Sequence, residues 1–315
     1  MQAVQRVLDL VELITKAEDD DLKDELEAFE DVDFLVDQIN KFEKRIAKLL
    51  RNERKHFVDG LEGYIFKEDD PLTLQRFYET VFPELLASDT FEEEMAEAAY
   101  EFFNATIPQV VSRIMEELDK DLSFNTLSGR TVAWIEDWSI DLAELMRLTS
   151  HRAIERVLVD TINEGKGIPD AVKALKDLPE FSRNRARATA ITEILTANAA
   201  SQQEAYLQSP AVEMKRWRHS GPRKIKPREN HVDLSGTEIP VDEAFDVGGY
   251  SAMYPRDPQL PAKERVYCRC VLQPVVNSKI LGLSAEEKEE LRRQAMAEFD
   301  YAKYKKPPRP KASRT

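Results

Sequence analysis

The sequence predicts a mainly α protein with an acidic helical N-terminal region, a helical middle, and a small α+β C-terminal lobe with short strands. Three observations carry this. Apolar residues recur at three- and four-residue steps through most of the first 207 positions, the period of one helix face. Only 10 glycines occur in 315 residues, too few for an all-β chain with its many turns. From Pro210 onward prolines crowd in, at 210, 222, 227, 240, 255, 258 and 261, and forbid long helices.

The elements follow in order. Val4, Val7, Leu8, Val11 and Ile14 keep helical spacing until Glu18 to Asp21 interrupts it. A longer helix is expected over residues 22–58, with Leu35, Ile39, Phe42, Ile46, Leu49 and Leu50 on one face and Gly60 and Gly63 ending it. Another starts near Pro71 and stops before Pro83. Ser88, Asp89 and Thr90 offer N-caps to the next helix, whose first turn carries Glu92, Glu93 and Glu94 at the positive end of the dipole. Residues 123–129 read as a loop. Beyond it Trp138, Leu142, Leu145, Met146, Ile154, Val157, Leu158 and Ile162 trace a long helix, closed by Gly165, Gly167 and Pro169. Trp134 and Trp138, one turn apart, are core candidates.

Residues 170–178 form a short helix. Ser182 caps a further one over 183–207, with Ile191, Ile194, Leu195, Asn198, Ala199 and Gln202 along one side. Residues 212–217 and 266–273 read as strands. Ser284 and Glu287 make a capping box for a last helix reaching about Tyr304, and the Pro/Lys/Arg-rich residues 305–315 read as a disordered basic tail. The expected organisation is an acidic helical domain (1–128), a helical bundle (129–210), the small lobe (211–280), a C-terminal helix (281–304) and the tail (305–315).

Charge is distributed unevenly. The chain's net charge is −14, yet residues 1–128 hold 32 Asp/Glu against 14 Lys/Arg while residues 181–315 hold 17 against 24. The first part repels phosphate; the last part attracts phosphate or an acidic protein surface. No apolar stretch has the length of a membrane span, so no membrane is expected as a partner. Two cysteines one residue apart do not make a secreted disulfide framework, which points to a reducing compartment.

Candidate site residues concentrate between Arg183 and Cys270. A basic set comprises Arg183, Arg185, Arg187, Lys215, Arg216, Arg218, Arg223, Lys224, Lys226 and Arg228, with Trp217 embedded in it. Arginine beside tryptophan suits sequence-independent contact with nucleic acid or an acidic partner; a solvated face anchored by a tryptophan is the other reading. His231, Cys268 and Cys270 are residue types that zinc prefers, with His219 or Asp233 as a fourth ligand. A zinc ion shared by Cys268 and Cys270 is expected to require a turn or bulge. Without one, the two behave as one buried small hydrophobe and one half-exposed thiol, with His231 hydrogen-bonded in a loop.

The order Ala190-Ile191-Thr192-Glu193, then Lys215 to Trp217, His231 followed five residues later by Gly236, then Phe245, and finally Cys268-Arg269-Cys270 before Val-Leu-x-Pro resembles the phage Mu F-like family. These are minor head (head morphogenesis) proteins of tailed bacteriophages. The likeness spans about residues 131–276 and singles out Thr192, Glu193, Gly236 and Arg269 as motif positions. It departs at Ile191, where family members often carry arginine, and at Arg228 and His231, where many carry Cys-x-x-Cys. The resemblance implies a non-enzymatic virion component at the portal vertex or in the head interior, present in the host cytoplasm during assembly. Its implied partners are the portal protein, other head proteins and packaged DNA. Some relatives are fused to toxin enzymes, so the alternative is metal-dependent nuclease or transferase activity in the C-terminal lobe.

Overall fold

A computed structural model describes residues 18–64, 71–220 and 226–298. The helix expected over residues 4–14, the last turns to Tyr304, the tail, and Arg223 and Lys224 lie outside the described residues. The chain is mainly helical, with a small antiparallel lobe near its C-terminal end.

Residues 18–25 are helical, and then the chain turns before α1 (Val32–Gly63). The single long helix expected over 22–58 is therefore two. Asp31 takes a left-handed backbone (φ 46°) and its carboxylate accepts from the Phe34 N–H at 3.1 Å, so it starts a new helix rather than continuing the old one. α2 (Pro71–Thr80) and α3 (Phe82–Ser88) follow. Pro83 was expected only as a stop; it also sits in the first turn of α3, where its missing N–H has no partner to lose. α4 (Phe91–Leu118) and α5 (Gly129–Asn163) pair along their lengths. Ser128 caps α5 through the Thr131 N–H, and Gly165 ends it at φ 68°. Trp138 is buried, and Trp134 packs its ring against Phe103.

α6 (Ile168–Lys176) and a 3-10 turn (Pro179–Phe181) lead to α7 (Arg183–Gln208), capped by Ser182 as expected. One buried side was expected for α7. Instead every residue from Ala190 to Tyr206 is buried, because α1, α4, the lobe strands and the last helix surround it. Most of its long polar side chains, Glu193, Gln203, Glu204 and Gln208, are therefore paired internally, while Gln202 Oε1 meets no donor. Glu204 accepts from the Ser128 N–H (2.8 Å), Ser128 Oγ (2.8 Å), Thr131 Oγ1 (2.7 Å), Arg130 (3.1 Å) and Gln208 (2.7 Å). Burial alone would raise this carboxyl; Arg130 and these donors hold it below the usual carboxylate range.

In the lobe β1 (Val212–Arg218) lies between β2 (Glu238–Pro240) and β5 (Val271–Val276), antiparallel to both. α8 (Glu229–Asp233) precedes β2, and β3 (Phe245–Val247) and β4 (Tyr250–Ala252) form a hairpin turned by Gly248 and Gly249, both at positive φ. α9 (Ala262–Arg265) precedes β5, which is followed by α10 (Ser278–Leu281) and α11 (Ala285–Glu298). The strand expected from residue 266 begins only at Val271; residues 266–270 form a turn and irregular backbone. The capping box is present, with the Ser284 N–H donating to Glu287 (2.9 Å) and the Glu287 N–H to Ser284 Oγ (3.2 Å). Buried Lys288 donates to Asp119 (3.0 Å) and Asp121 (2.7 Å), which docks α11 against the loop after α4. One hydrophobic core runs through the helices on both sides of the loop at 123–129 and into the lobe.

Between α1 and the start of α4 lies a cavity of about 60 Å³ lined by Asn52, Glu53, His56, Asp89 and Glu94. Glu53 is 2% exposed and neither carboxylate oxygen meets a donor. Burial, with repulsion from Asp89, pushes its carboxyl up to about 8. The folded state then holds a proton that the unfolded chain releases above its ordinary value of 4.5, so this contribution is full at low pH and fades as pH rises to about 8. Raising pH from 5.5 to 8 is expected to lower the unfolding free energy by roughly 2–4 kcal/mol through this group. Urea midpoints of wild type and Glu53→Gln across that range test it, since the neutral amide should flatten the dependence. Parallel curves would refute it.

Candidate functional site

The lobe gathers its rare residue types at one place. β1 ends just before His219, α8 carries His231, and Cys268 and Cys270 sit in the irregular segment before β5. The ligand atoms of His231, Cys268 and Cys270 lie within 4.8 Å of one another, and all three residues are buried. His231 Nδ1 is 3.6 Å from both sulfurs, and His219 Nδ1 is 3.6 Å from Cys270 Sγ. Asp233, the other candidate fourth ligand, is exposed. Both cysteines are buried, which replaces the expectation of one half-exposed thiol.

Side chains at i and i+2 of an extended backbone share a face, so the sulfurs of Cys268 and Cys270 can meet without the turn or bulge expected between them. Arg256 is fully buried at φ 68°, and its guanidinium donates to the carbonyls of Cys268 (3.1 Å), Cys270 (2.7 Å) and Leu195 (3.0 Å). Those bonds replace a sheet ladder and hold Cys268-Arg269-Cys270 just beyond the turn at Val266-Tyr267, where Tyr267 takes φ 60°. A Cys270 S–H donating to Cys268 lowers the Cys268 thiol well below its ordinary value, against burial, and raises Cys270 in turn.

The motif positions serve this segment. Glu193 on α7 accepts from Trp138 Nε1 (2.7 Å) and from Arg265 (3.0 and 3.2 Å), and the Arg265 Nε–H donates to the Arg256 carbonyl (3.1 Å). Beside Arg265 on α9, Glu264 meets His231 Nε2 at 3.0 Å. Gly236 takes φ 89°, which a side chain would strain, and its N–H donates to the Trp217 carbonyl at 2.8 Å. Thr192 Oγ1 donates back to the Ala188 carbonyl, and Arg269 pairs with Glu25 at 3.0 Å.

The basic set does not form one surface. Trp217 is fully buried, edge-on to His231 and Phe245. Lys215 is fully buried and donates to Gln203 and the Met253 carbonyl, both at 2.9 Å; burial pushes its amine down to about 7. Arg185 is spent on Ser150 Oγ and the carbonyls of Glu180 and Met146. Arg183 and Arg187 both reach Glu43 on α1 at 2.7 Å, Arg216 pairs with Glu238, and Arg228 donates to the Lys263 and Val266 carbonyls. Arg218 and Lys226 remain exposed. Lys215 and Trp217 are thus internal framework, whereas Arg183 and Arg216 keep 54% and 43% of their side chains exposed beside their ion pairs.

Glu264, Arg265, Arg256 and Glu204 were not foreseen. An isolated charged residue has no periodic signal; only Arg265 and Arg269, basic residues flanking the cysteines, hinted at buried pairing.

A helical body closed by a lobe whose segment before β5 carries Cys-Arg-Cys, tied to a buried Glu on the long helix, defines the class. The model of the family described as phage Mu protein F like protein matches residues 152–273. "Uncharacterized protein YqbB" of Bacillus subtilis is 50% identical over 264 residues, 83% of this chain and 86% of that protein. The chain belongs to the phage Mu protein F like family. It is also similar, at 28% identity over 145 residues, to the NAD(+)--arginine ADP-ribosyltransferase EFV of Enterococcus faecalis, covering 45% of this chain and 28% of that protein. No solved structure matches.

Glu193→Gln leaves the buried Arg265 guanidinium without its counter-charge, which is expected to cost about 3–5 kcal/mol of stability. Trp217→Ala is expected to cost about 3–5 kcal/mol by opening the lobe core, whereas Arg218→Ala should stay within about 0.5 kcal/mol. Urea denaturation of the three variants tests the assignment. A near-silent Trp217→Ala would return that residue to a surface role.

Proposed function

We propose that the chain is a minor head protein of a tailed phage, bound at the portal vertex or the head interior, where it assists head assembly and DNA packaging or exit. The observation that carries the reading is family membership. Supporting it, the polar residues of the candidate site are engaged in holding α7, α9 and the lobe together, which suits a component that attaches rather than one that turns over substrate. With most of the basic set paired internally, the contacts proposed are mainly with the portal protein and other head proteins. Direct contact with packaged DNA falls to the few exposed cations such as Arg218 and Lys226, and would be weak, sequence-independent and salt-sensitive.

The similarity to EFV favours a second reading, in which the segment in common accompanies an enzyme. The shared part is 28% of that protein, so the transferase chemistry in its name is not assigned to the shared part by this match. Incubating the purified chain with NAD and arginine-containing protein separates the two readings.

Empty proheads from a packaging-deficient phage, purified and probed for this chain, are expected to contain it, as are mature virions. Absence from both particles would overturn the assignment, and so would multiple-turnover consumption of NAD.

A further inference from the structure

We propose that Cys268, Cys270, His231 and His219 hold a single structural zinc ion that fastens the end of β1, α8 and the segment before β5 to one point. In a tetrahedral site with zinc–sulfur bonds of about 2.3 Å and zinc–nitrogen bonds of about 2.0–2.1 Å, the sulfur-to-nitrogen edge is roughly 3.6 Å. All three sulfur-to-nitrogen separations here are 3.6 Å. A hydrogen bond explains them less well. One Nδ1 lone pair accepts one S–H, yet two sulfurs stand at the same distance from His231 Nδ1.

The surroundings match an ion. Glu264 meets the other ring nitrogen of His231 at 3.0 Å, which fixes the tautomer with Nδ1 turned toward the sulfurs, the carboxylate–histidine arrangement that supports metal ligands. Asn230 donates to the same carboxylate at 3.2 Å and holds it in place. The Arg256 guanidinium stands 3.8 Å from Cys268 Sγ and favours the thiolate form that zinc needs. Two thiolates and two neutral imidazoles balance the dipositive charge. His231 and both cysteines are at most 2% exposed, so the site is closed, as structural rather than catalytic zinc sites are. His219 lies on the Cys270 side, outside the 4.8 Å cluster of the other three, and completes the set by moving toward Cys268 and His231.

The inference does not rest on the head role, since it is read on the isolated full-length chain. Elemental analysis of protein purified without chelator should find a single equivalent of zinc. Replacement by cobalt(II) should give the sulfur-to-metal charge-transfer band and intense d–d bands of a four-coordinate site. Cys270→Ser should abolish zinc retention and weaken the charge-transfer band. His219→Ala should keep the fold while weakening both the affinity and the d–d bands. Glu264→Gln should lower zinc affinity about 10- to 100-fold without changing the cobalt spectrum. Chelation should lower the melting temperature of the wild type and leave Cys270→Ser unmoved. Wild-type protein that takes up neither metal, or whose two cysteines titrate as free thiols equally with and without added zinc, would overturn the proposal. So would wild-type stoichiometry in His219→Ala with an unaltered cobalt spectrum, since the fourth ligand is then another group.

Discussion

A polar helix buried on all sides is the constraint on which the rest of this structure depends. Helix α7 carries Thr192, Glu193, Asn198, Gln202, Gln203, Glu204 and Gln208 at positions shielded from water. An unmatched buried carboxylate costs several kcal/mol, so elements that pack against the helix must bring donors. Ser128, Arg130 and Thr131 at the start of α5 answer Glu204; Trp138 and Arg265 answer Glu193; Lys215 answers Gln203. Hydrophobic burial holds these elements near α7, and polar pairing selects their register. A one-turn slide of α5 would preserve much apolar contact but leave Glu204 uncompensated.

The same logic accounts for the charge asymmetry. Read linearly, an acidic first part and a basic last part suggest two surfaces for two partners. In the fold, part of that asymmetry cancels internally. Glu43 sits between Arg183 and Arg187, Glu18 meets Arg183, and Glu25 meets Arg269. The Glu43 and Glu25 pairs are shielded on at least one side, where charges interact more strongly than they do across a solvated surface. Apart from buried Glu53, the remaining acidic residues of α1 and α4 are wholly or partly exposed, and they contribute to the overall negative charge.

These pairings mark what the sequence reveals and what it conceals. Helices, their caps at Ser128 and Ser182, the Ser284–Glu287 box and the strand character of 212–217 were legible because each depends on neighbours within a few residues. So was the concentration of chemistry between Arg183 and Cys270. The break at Asp31 was hidden, since the apolar period continues across it and only a left-handed backbone betrays the turn. Lys215 read as part of a cationic face, and Trp217 either as part of that face or as the anchor of the lobe. Their burial follows from β1 being the central strand, covered by α7, which no local pattern states. The groups that meet the two sulfurs were likewise illegible. Side chains two residues apart on an extended segment share a face, but no local pattern states that Arg256, twelve residues earlier, brings its guanidinium to the Cys268 and Cys270 carbonyls or that His231 meets both sulfurs.

Arg256 and Tyr267 both occupy left-handed backbone regions that cost of order 1–3 kcal/mol each for residues with side chains. Such strain persists only when surroundings over-determine it. Around Arg256 they do: its guanidinium reaches three carbonyls, its own carbonyl receives Arg265, and Arg265 is clamped by Glu193. A chain of contacts therefore runs from the motif glutamate on α7, through Arg265 and Arg256, to the segment that presents both sulfurs. Glu264 adds a second branch from α9 to His231. The separated motif pieces Thr192-Glu193, His231 and Cys268-Arg269-Cys270 thus belong to one mechanical unit. In that unit glutamate on a rigid helix positions an arginine, and the arginine positions that segment. Exchanging any link for a residue of similar size but different charge should disturb the sulfurs at a distance, since the segment has no regular secondary structure of its own to fall back on.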